Sequence, residues 1–227
     1  MNPTRNGHPF ELLVFDWDGT LMDSIAAIVG CMTAAATDLE LGPVDPERVR
    51  RFIGLGLDQA LPALGLGDDP RLAQSLVERY RHHWFATYRE LPVLFAGVPD
   101  LIARLAQEGY QLGIATGKSR RGLDRELEAT GLASWFHGTR TVDEAPGKPH
   151  PKMLLDLIAE LGATPEATLM IGDTPYDLQM AQHAGAHGLG LAQSTHPREA
   201  LLAEGPLGCL DRIVDLLPWQ EARRQNA

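Results

Sequence analysis

The sequence contains few cysteines and no long apolar run. Its 227 residues include two cysteines, Cys31 and Cys209, which are too few and too far apart for a disulfide framework or a cysteine metal cluster. Residues 24–37 form the longest weakly polar segment, and a membrane span needs roughly 20 apolar residues. Residues 1–9 are polar and lack the apolar centre of a secretory signal. We therefore expect a cytoplasmic protein without a membrane partner.

Positive charge is also scarce. Twenty lysines and arginines stand against 30 acidic residues, so the formal net charge is −10. This balance disfavours nucleic acids and anionic membranes as partners. An anionic substrate would need a local cation or a bound metal. Hydrophobic residues make up 44% of the chain, which is ordinary for a globular protein, and the length suits one large domain or one domain with an insert.

Short apolar segments alternate with helical patterns over most of the chain. The segments 12–15, 112–115, 169–172 and 188–192 predict buried strands. Helical patterns at 99–108, 152–161 and 178–184 lie between or after them. This alternation predicts an α/β fold with a parallel sheet.

Residues 22–91 depart from this alternation. They contain no convincing strand, their apolar residues follow helical spacing, and glycines interrupt them at 54–56 and 65–70. We predict a helical domain at 22–91, inserted into an α/β domain formed by residues 1–21 and 92–227.

Two carboxylates follow the first predicted strand. Asp16 and Asp18 would face the same side of an extended chain and therefore lie close together. Carboxylates this close repel each other unless a cation lies between them. Mg²⁺ takes oxygen ligands and often shares its coordination shell with a substrate phosphate. A simple turn at the strand end, where Asp and Gly are common, is the alternative interpretation.

Further polar residues follow the other strands. Thr116 and Gly117 precede a helix, where a hydroxyl and free N–H groups suit a phosphate or an ordinary helix cap. Lys148 lies in a proline-stiffened loop and could bind carboxylates and phosphate oxygens, or be a solvated loop lysine. Asp173 ends the third strand, and Asp177 lies one helical turn beyond it.

These motifs should converge on one site, because ligands of open α/β sheets bind at the carboxyl ends of the strands. In chain order, they resemble the four motifs of the haloacid dehalogenase superfamily: residues 16–20, 116–117, 148–149 and 172–177. Residues 22–91 resemble the cap of its phosphoglycolate phosphatase-like branch, with residues 52–56 similar to the cap loop. The resemblance implies a Rossmann-like parallel sheet with an inserted α-helical cap.

The resemblance also implies catalytic roles. Asp16 would be the nucleophile that forms an aspartyl-phosphate. Asp18 would protonate the leaving group and then activate water. Thr116, Gly117 and Lys148 would hold the phosphoryl oxygens, with Lys148 also counted among the catalytic residues.

The same resemblance implies a metal site. Mg²⁺ would be held by Asp16, the main-chain carbonyl of Asp18, and Asp173. Asp177 would contact these ligands and hold them in place without binding the metal itself. We expect a small phosphorylated metabolite as the substrate, with phosphoglycolate as the first candidate and sugar phosphates, pyrophosphate and nucleotides still open. Arg51 and the loop 54–56 are predicted to lie near the entrance. The protein could be a monomer or a homodimer.

Three other functions are alternatives to a phosphatase. A phosphomutase would use the same two aspartates, although Thr20 after the Asp-x-Asp-Gly run is more similar to the phosphatase pattern. A dehalogenase would need neither Asp18 nor the metal cluster. A non-catalytic, phosphate-dependent regulator would not need the complete set of catalytic residues.

Overall fold

The described part of the chain is built around a parallel sheet. The computed structural model describes residues 9–63, 65, 69–87 and 93–225. The strands are β1 Leu12–Phe15, β2 Gln111–Thr116, β3 Gly138–Thr141, β4 Thr168–Gly172, β5 His187–Leu191 and β6 Cys209–Leu210. They form a six-stranded sheet in the order β3-β2-β1-β4-β5-β6, and every neighbouring pair is parallel. The predicted α/β fold is confirmed.

The strand order changes direction at β1. The chain proceeds outward from β1 through β2 to β3 on one side and from β4 through β5 to β6 on the other. A crevice opens at the carboxyl ends of the strands where the order reverses, and open α/β proteins bind ligands there. The crevice therefore lies above β1, β2 and β4.

Helices cover the sheet and form the inserted domain. They are α1 Ile25–Asp38, α2 Pro46–Phe52, α3 Leu57–Ala63, α4 Pro70–Thr87, α5 Val98–Gln107, α6 Arg120–Thr130, α7 Lys152–Glu160, α8 Pro175–His183, α9 Arg198–Leu202 and α10 Leu216–Gln225. Side chains of β1 alternate between the two faces of the sheet. Leu13 and Phe15 join the apolar cluster that includes α5, and Leu12 and Val14 join the cluster that includes α7 and α8.

Two strands were not predicted. β3 has the polar sequence Gly-Thr-Arg-Thr, and of its residues only Thr141 is buried. β6 contains two residues and ends the other side of the sheet. Edge strands bury less side-chain surface than central ones, so neither shows the apolar run that identified β1, β2 and β4.

Helices α1 to α4 form a separate cap with its own apolar cluster. Ile28, Met32, Val49, Leu61 and Leu76 belong to this cluster, which is distinct from the clusters on the sheet. The part of the chain that the structure describes contains no helix with both the length and the apolar character needed to cross a membrane.

The two chain segments that connect the cap to the core lie side by side. The N–H of Asp23 donates to the carbonyl of Val93 at 2.9 Å, and the N–H of Phe95 donates to that of Leu21 at 3.0 Å. The predicted boundary between residues 21 and 22 falls at this pairing. The other predicted boundary, between 91 and 92, lies outside the described residues.

Candidate active site

Four predicted site residues meet at the carboxyl end of the sheet. Asp16 follows β1, Thr116 ends β2, and Asp173 follows β4, while Lys148 reaches them from the loop before α7. All four side chains are buried, with exposed fractions of 1% or less. The parallel strands bring together residues that are up to 157 positions apart in the sequence, as their motifs predicted.

Lys148 is the central cation of the site. Its Nζ lies 2.7 Å from Asp16 Oδ1 and 2.6 Å from Asp177 Oδ1. Burial acts to lower the pKa of Lys148, but the charges of Asp16 and Asp177 outweigh it and hold this pKa above its ordinary value. The amine therefore remains a fixed positive charge beside the carboxylates.

Asp16 has one engaged and one unengaged oxygen. The N–H of Trp17 donates to Asp16 Oδ1 at 2.7 Å, on the side where Lys148 lies. Asp16 Oδ2 is buried and accepts no hydrogen bond from any residue that the structure describes. Burial, reinforced by the charges of Asp177 and Asp173, raises the pKa of Asp16 well above its ordinary value, and Lys148 opposes the rise. A buried acceptor in this position needs a cation or an electrophile.

Three hydroxyl groups hold Asp173. Thr20 Oγ1 donates to its Oδ1 at 2.8 Å, and Ser194 Oγ and Thr195 Oγ1 each donate to its Oδ2 at 2.6 Å. Burial and the charge of Asp177 raise the pKa of Asp173 to about 6, against the opposing effect of these hydrogen bonds. Ser194 and Thr195 were not predicted as site residues. Their position directly after the predicted strand 188–192 was the available signal.

The carboxylates fit a divalent cation. Oxygen atoms of Asp16, Asp173 and Asp177 lie within 4.8 Å of one another, and ionised carboxylates offer only acceptors. Such oxygen ligands suit Mg²⁺. The unengaged Oδ2 of Asp16 supports the same interpretation.

Asp177 is held by neighbouring residues of this chain, and its predicted supporting role stays a prediction. Its Oδ2 accepts hydrogen bonds from the N–H of Thr174 at 3.1 Å and from Thr174 Oγ1 at 2.7 Å, in a capping box at the start of α8. Its Oδ1 faces Lys148. Both oxygens are therefore engaged with this chain. The carboxylate of Asp18 is not part of the three-carboxylate group, and its predicted ligation through the main-chain carbonyl stays a prediction.

Asp18 is held by residues that were not predicted. Ser24 Oγ donates to Asp18 Oδ1 at 2.6 Å, and Lys118 Nζ lies 3.0 Å from its Oδ2. Lys118 also pairs with Glu126 Oε1 at 3.2 Å, and Glu126 accepts a hydrogen bond from Trp17 Nε1 at 2.5 Å. Lys118 stands next to a predicted motif, whereas no sequence signal distinguishes Glu126 from a surface glutamate on α6.

A cavity of about 400 Å³ lies between the core and the cap. Asp16, Asp18 and Thr116 line its core side. The cap loop reaches the core at this cavity: a Cβ atom added at Gly117 would lie 2.7 Å from the carbonyl oxygen of Gly54. The close approach of the two backbones depends on the absence of a side chain at Gly117.

Arg51 lies outside the cavity lining. It is exposed on α2, and its carbonyl accepts a hydrogen bond from the hydroxyl of Tyr176 at 3.3 Å. Gly54 and Leu55 of the predicted entrance loop do line the cavity. A role for Arg51 in substrate binding stays a prediction.

Sequence comparison decides the family. The model of the haloacid dehalogenase-like hydrolases matches residues 13–190. The chain belongs to this family. The match runs from the second residue of β1 to the fourth residue of β5, and so includes the strand ends that carry Asp16, Thr116 and Asp173.

Curated haloacid dehalogenase-like relatives carry phosphatase names. The chain is 35% identical to "Probable phosphatase IndB" of Dickeya dadantii, with 91% of each chain covered. It is 32% identical to "Pyrophosphatase PpaX" of Anoxybacillus flavithermus, over 90% of this chain and 94% of that protein. It is 30% identical to "Phosphoglycolate phosphatase" of Pectobacterium atrosepticum, over 91% and 90%. The resemblance to phosphatases of this superfamily is confirmed.

A solved structure shows the same architecture. The crystal structure of a hydrolase from Pseudomonas syringae superposes with a TM-score of 0.85 at 27% identity, over 93% of this chain and 98% of that one. The correspondence therefore extends over nearly the whole of both chains.

Proposed function

We propose that this chain is a Mg²⁺-dependent phosphatase that hydrolyses a phosphate monoester through an aspartyl-phosphate on Asp16. The observation that carries the proposal is the buried, unengaged Oδ2 of Asp16, a residue that lines the cavity between core and cap. Asp18 lines the same cavity, as an acid and base for the leaving group must. The phosphatase names of the relatives support this reaction class.

The reaction divides into two displacements. Asp16 Oδ2 attacks phosphorus, and the bond from phosphorus to the ester oxygen breaks. Asp18 gives its proton to the departing alkoxide. Asp18 then takes a proton from water, which attacks the aspartyl-phosphate, releases inorganic phosphate and restores Asp16. One side chain thus serves as acid in the first half and base in the second.

Other residues position the phosphoryl group. Lys148 holds Asp16 in place and offsets its charge as the anionic ester arrives. The hydroxyl of Thr116 and the N–H of Gly117 lie at the cavity wall, where they can donate to phosphoryl oxygens. Mg²⁺, which Asp16, Asp173 and the main-chain carbonyl of Asp18 would hold, supplies further neutralisation of the transferring group when bound.

The substrate is a small phosphorylated metabolite in this proposal, and the site of action is the cytoplasm. Phosphoglycolate remains a candidate because several relatives are named for it. Pyrophosphate, an anhydride and not a monoester, is the alternative substrate, because the chain is 32% identical to a protein named as a pyrophosphatase.

The test combines substitution and metal removal. Release of inorganic phosphate would be measured from a panel of esters and from pyrophosphate, with Mg²⁺ and with a chelator. We expect Asp16→Asn to lower kcat by at least about 10³-fold, because an amide is a poor nucleophile. Asp23→Asn is the matched control and should keep wild-type kcat, because Asp23 is an exposed aspartate shortly after residues 16–20.

Mass spectrometry after acid quenching would look for a phosphoryl group on Asp16 during turnover. Undiminished turnover by Asp16→Asn would exclude the covalent mechanism. Undiminished activity in the chelator would contradict the metal assignment.

A further inference from the structure

The cavity has a polar side and an apolar side. The core supplies Asp16, Asp18, Thr116 and Lys118 at the reacting end. The cap supplies the opposite wall, and most of its lining side chains are apolar or aromatic: Ile28, Met32, Val49, Phe52, Leu57, Val77, Tyr80, Trp84 and Phe85. The leaving group of a bound ester must lie against this second wall, because the phosphoryl group occupies the first.

Aromatic rings are prominent in the cap wall. Tyr80 and Trp84 are adjacent on one face of α4, with ring centroids 6.1 Å apart and planes inclined by 24°. Phe52, at the end of α2, is a third ring of the lining. Aromatic walls favour flat apolar ligands, which bury large areas against them.

The size of the cavity also constrains the leaving group. Its volume of about 400 Å³ lies in the range typical of sites for drug-sized ligands, roughly 300–1,000 Å³. A phosphoryl group with a two-carbon leaving group would leave much of the apolar wall uncovered.

The cationic residues around the cavity also favour an uncharged leaving group. Of the described residues that line the cavity, Lys118 and Arg81 are the cationic ones. Lys118 is already paired with Asp18 and Glu126, and Arg81 is exposed at the surface of α4. Lys118 Nζ also lies 4.5 Å from the centroid of the Trp84 ring. A carboxylate or second phosphate at the apolar wall would lose hydration and would have to compete with Asp18 and Glu126 for this buried cation, which is costly.

We infer that the substrate is a phosphate monoester of an apolar, ring-sized alcohol, whose ring packs against the cap side chains Phe52, Tyr80 and Trp84. This inference rests on the phosphatase reaction proposed above and narrows its substrate class. It places phosphoglycolate and pyrophosphate among the poorer substrates, because neither carries an apolar body.

Four compounds test the inference on the wild-type protein with Mg²⁺: 2-phenylethyl phosphate, ethyl phosphate, phosphoglycolate and pyrophosphate. The first two share the reacting CH₂–O–P group and differ only in the ring. Burying a phenyl ring favours the bound state enough for kcat/KM to rise by about tenfold to a hundredfold over ethyl phosphate. We expect 2-phenylethyl phosphate to exceed the other three compounds by at least that factor.

A pair of leucines provides a matched test. Leu57 lines the cavity, whereas Leu41 packs on the same cap cluster but does not line it, and both are partly buried. Leu57→Ala should lower the ratio of kcat/KM between 2-phenylethyl and ethyl phosphate by about fivefold or more. Leu41→Ala should leave this ratio at its wild-type value.

The outcomes distinguish a wrong substrate class from a wrong reaction class. Equal or higher kcat/KM for ethyl phosphate, phosphoglycolate or pyrophosphate would overturn the apolar substrate class and leave the phosphatase reaction intact. A failure to hydrolyse all four compounds, with no phosphoryl group trapped on Asp16, would overturn the proposed function itself. Should Leu57→Ala not fold, the comparison of compounds on the wild-type protein still decides the inference.

Discussion

Replacing Lys148 with methionine tests whether this lysine holds the site together. Lys148 is fully buried, and its Nζ contacts the carboxylates of Asp16 and Asp177 at 2.7 and 2.6 Å. Methionine keeps most of the length of the side chain and fills similar space, so the main change is the loss of the charge. Asp16 and Asp177 then remain buried without the cation that they share, and Asp173 lies close to both.

Two estimates give the size of the effect. Removing one partner of a buried ion pair costs about 3–5 kcal/mol of unfolding free energy. Alternatively, one carboxyl can take up a proton; from an ordinary pKa of 3.8, keeping it neutral near pH 7 costs about 4 kcal/mol at about 1.36 kcal/mol per pH unit. The two agree. For a protein of this size, about 4 kcal/mol corresponds to a fall in Tm of roughly 8–16 °C.

The measurement is thermal unfolding followed by circular dichroism in metal-free buffer near pH 7. Lys152→Met is the matched control, because Lys152 is 51% exposed and pairs with Asp156 at 2.8 Å on the surface of α7. Exposed pairs contribute about 0–1 kcal/mol, so this variant should unfold within a few degrees of the wild type. Equal Tm values for Lys148→Met and Lys152→Met would refute the reasoning.

The dependence on pH gives a second check. Loss of the cation raises the pKa values of the neighbouring carboxyl groups, so the folded variant binds protons more tightly than its unfolded chain does. Its stability then falls as pH rises and recovers as pH falls. The difference in Tm between Lys148→Met and the wild type should therefore shrink towards pH 4, and a difference that grows there would contradict the assignment.

Two further predictions concern the metal and the cap. The pKa of Asp173 is about 6 in the folded protein and 3.8 ordinarily, so the metal-free protein should lose about 3 kcal/mol of stability as pH rises from about 4 to 6. Mg²⁺ must displace that proton, so its gain in Tm should be larger near pH 7.5 than near pH 5; the reverse order would exclude Asp173 as a ligand. Gly117→Ala should lower kcat/KM by about tenfold to a hundredfold, because its Cβ would meet the Gly54 carbonyl at 2.7 Å and displace the cap. Gly113→Ala, whose Cβ would meet nothing closer than 3.4 Å, is the control, and equal kinetics of the two variants would contradict cap displacement.

The central strands and the residues at their ends could be predicted because their signals are local. A strand buried on both faces is a short apolar run, and β1, β2 and β4 each show one. Parallel strands place their carboxyl ends at one edge of the sheet, so finding the strands also brings Asp16, Thr116 and Asp173 together. The peripheral strands β3 and β6 lack this run, and sequence analysis missed them.

The central strands, the helical insert and the carboxylates, hydroxyl and lysine at the strand ends could thus be predicted, since each depends on short segments and their order. The distant groups that surround them depend on tertiary packing. Glu126 meets Trp17 across 109 residues, and Ser194 reaches Asp173 from the loop after β5. The lining of the cavity likewise depends on how the cap packs over the core, because the same apolar side chains would show helical spacing whether they faced a substrate or one another.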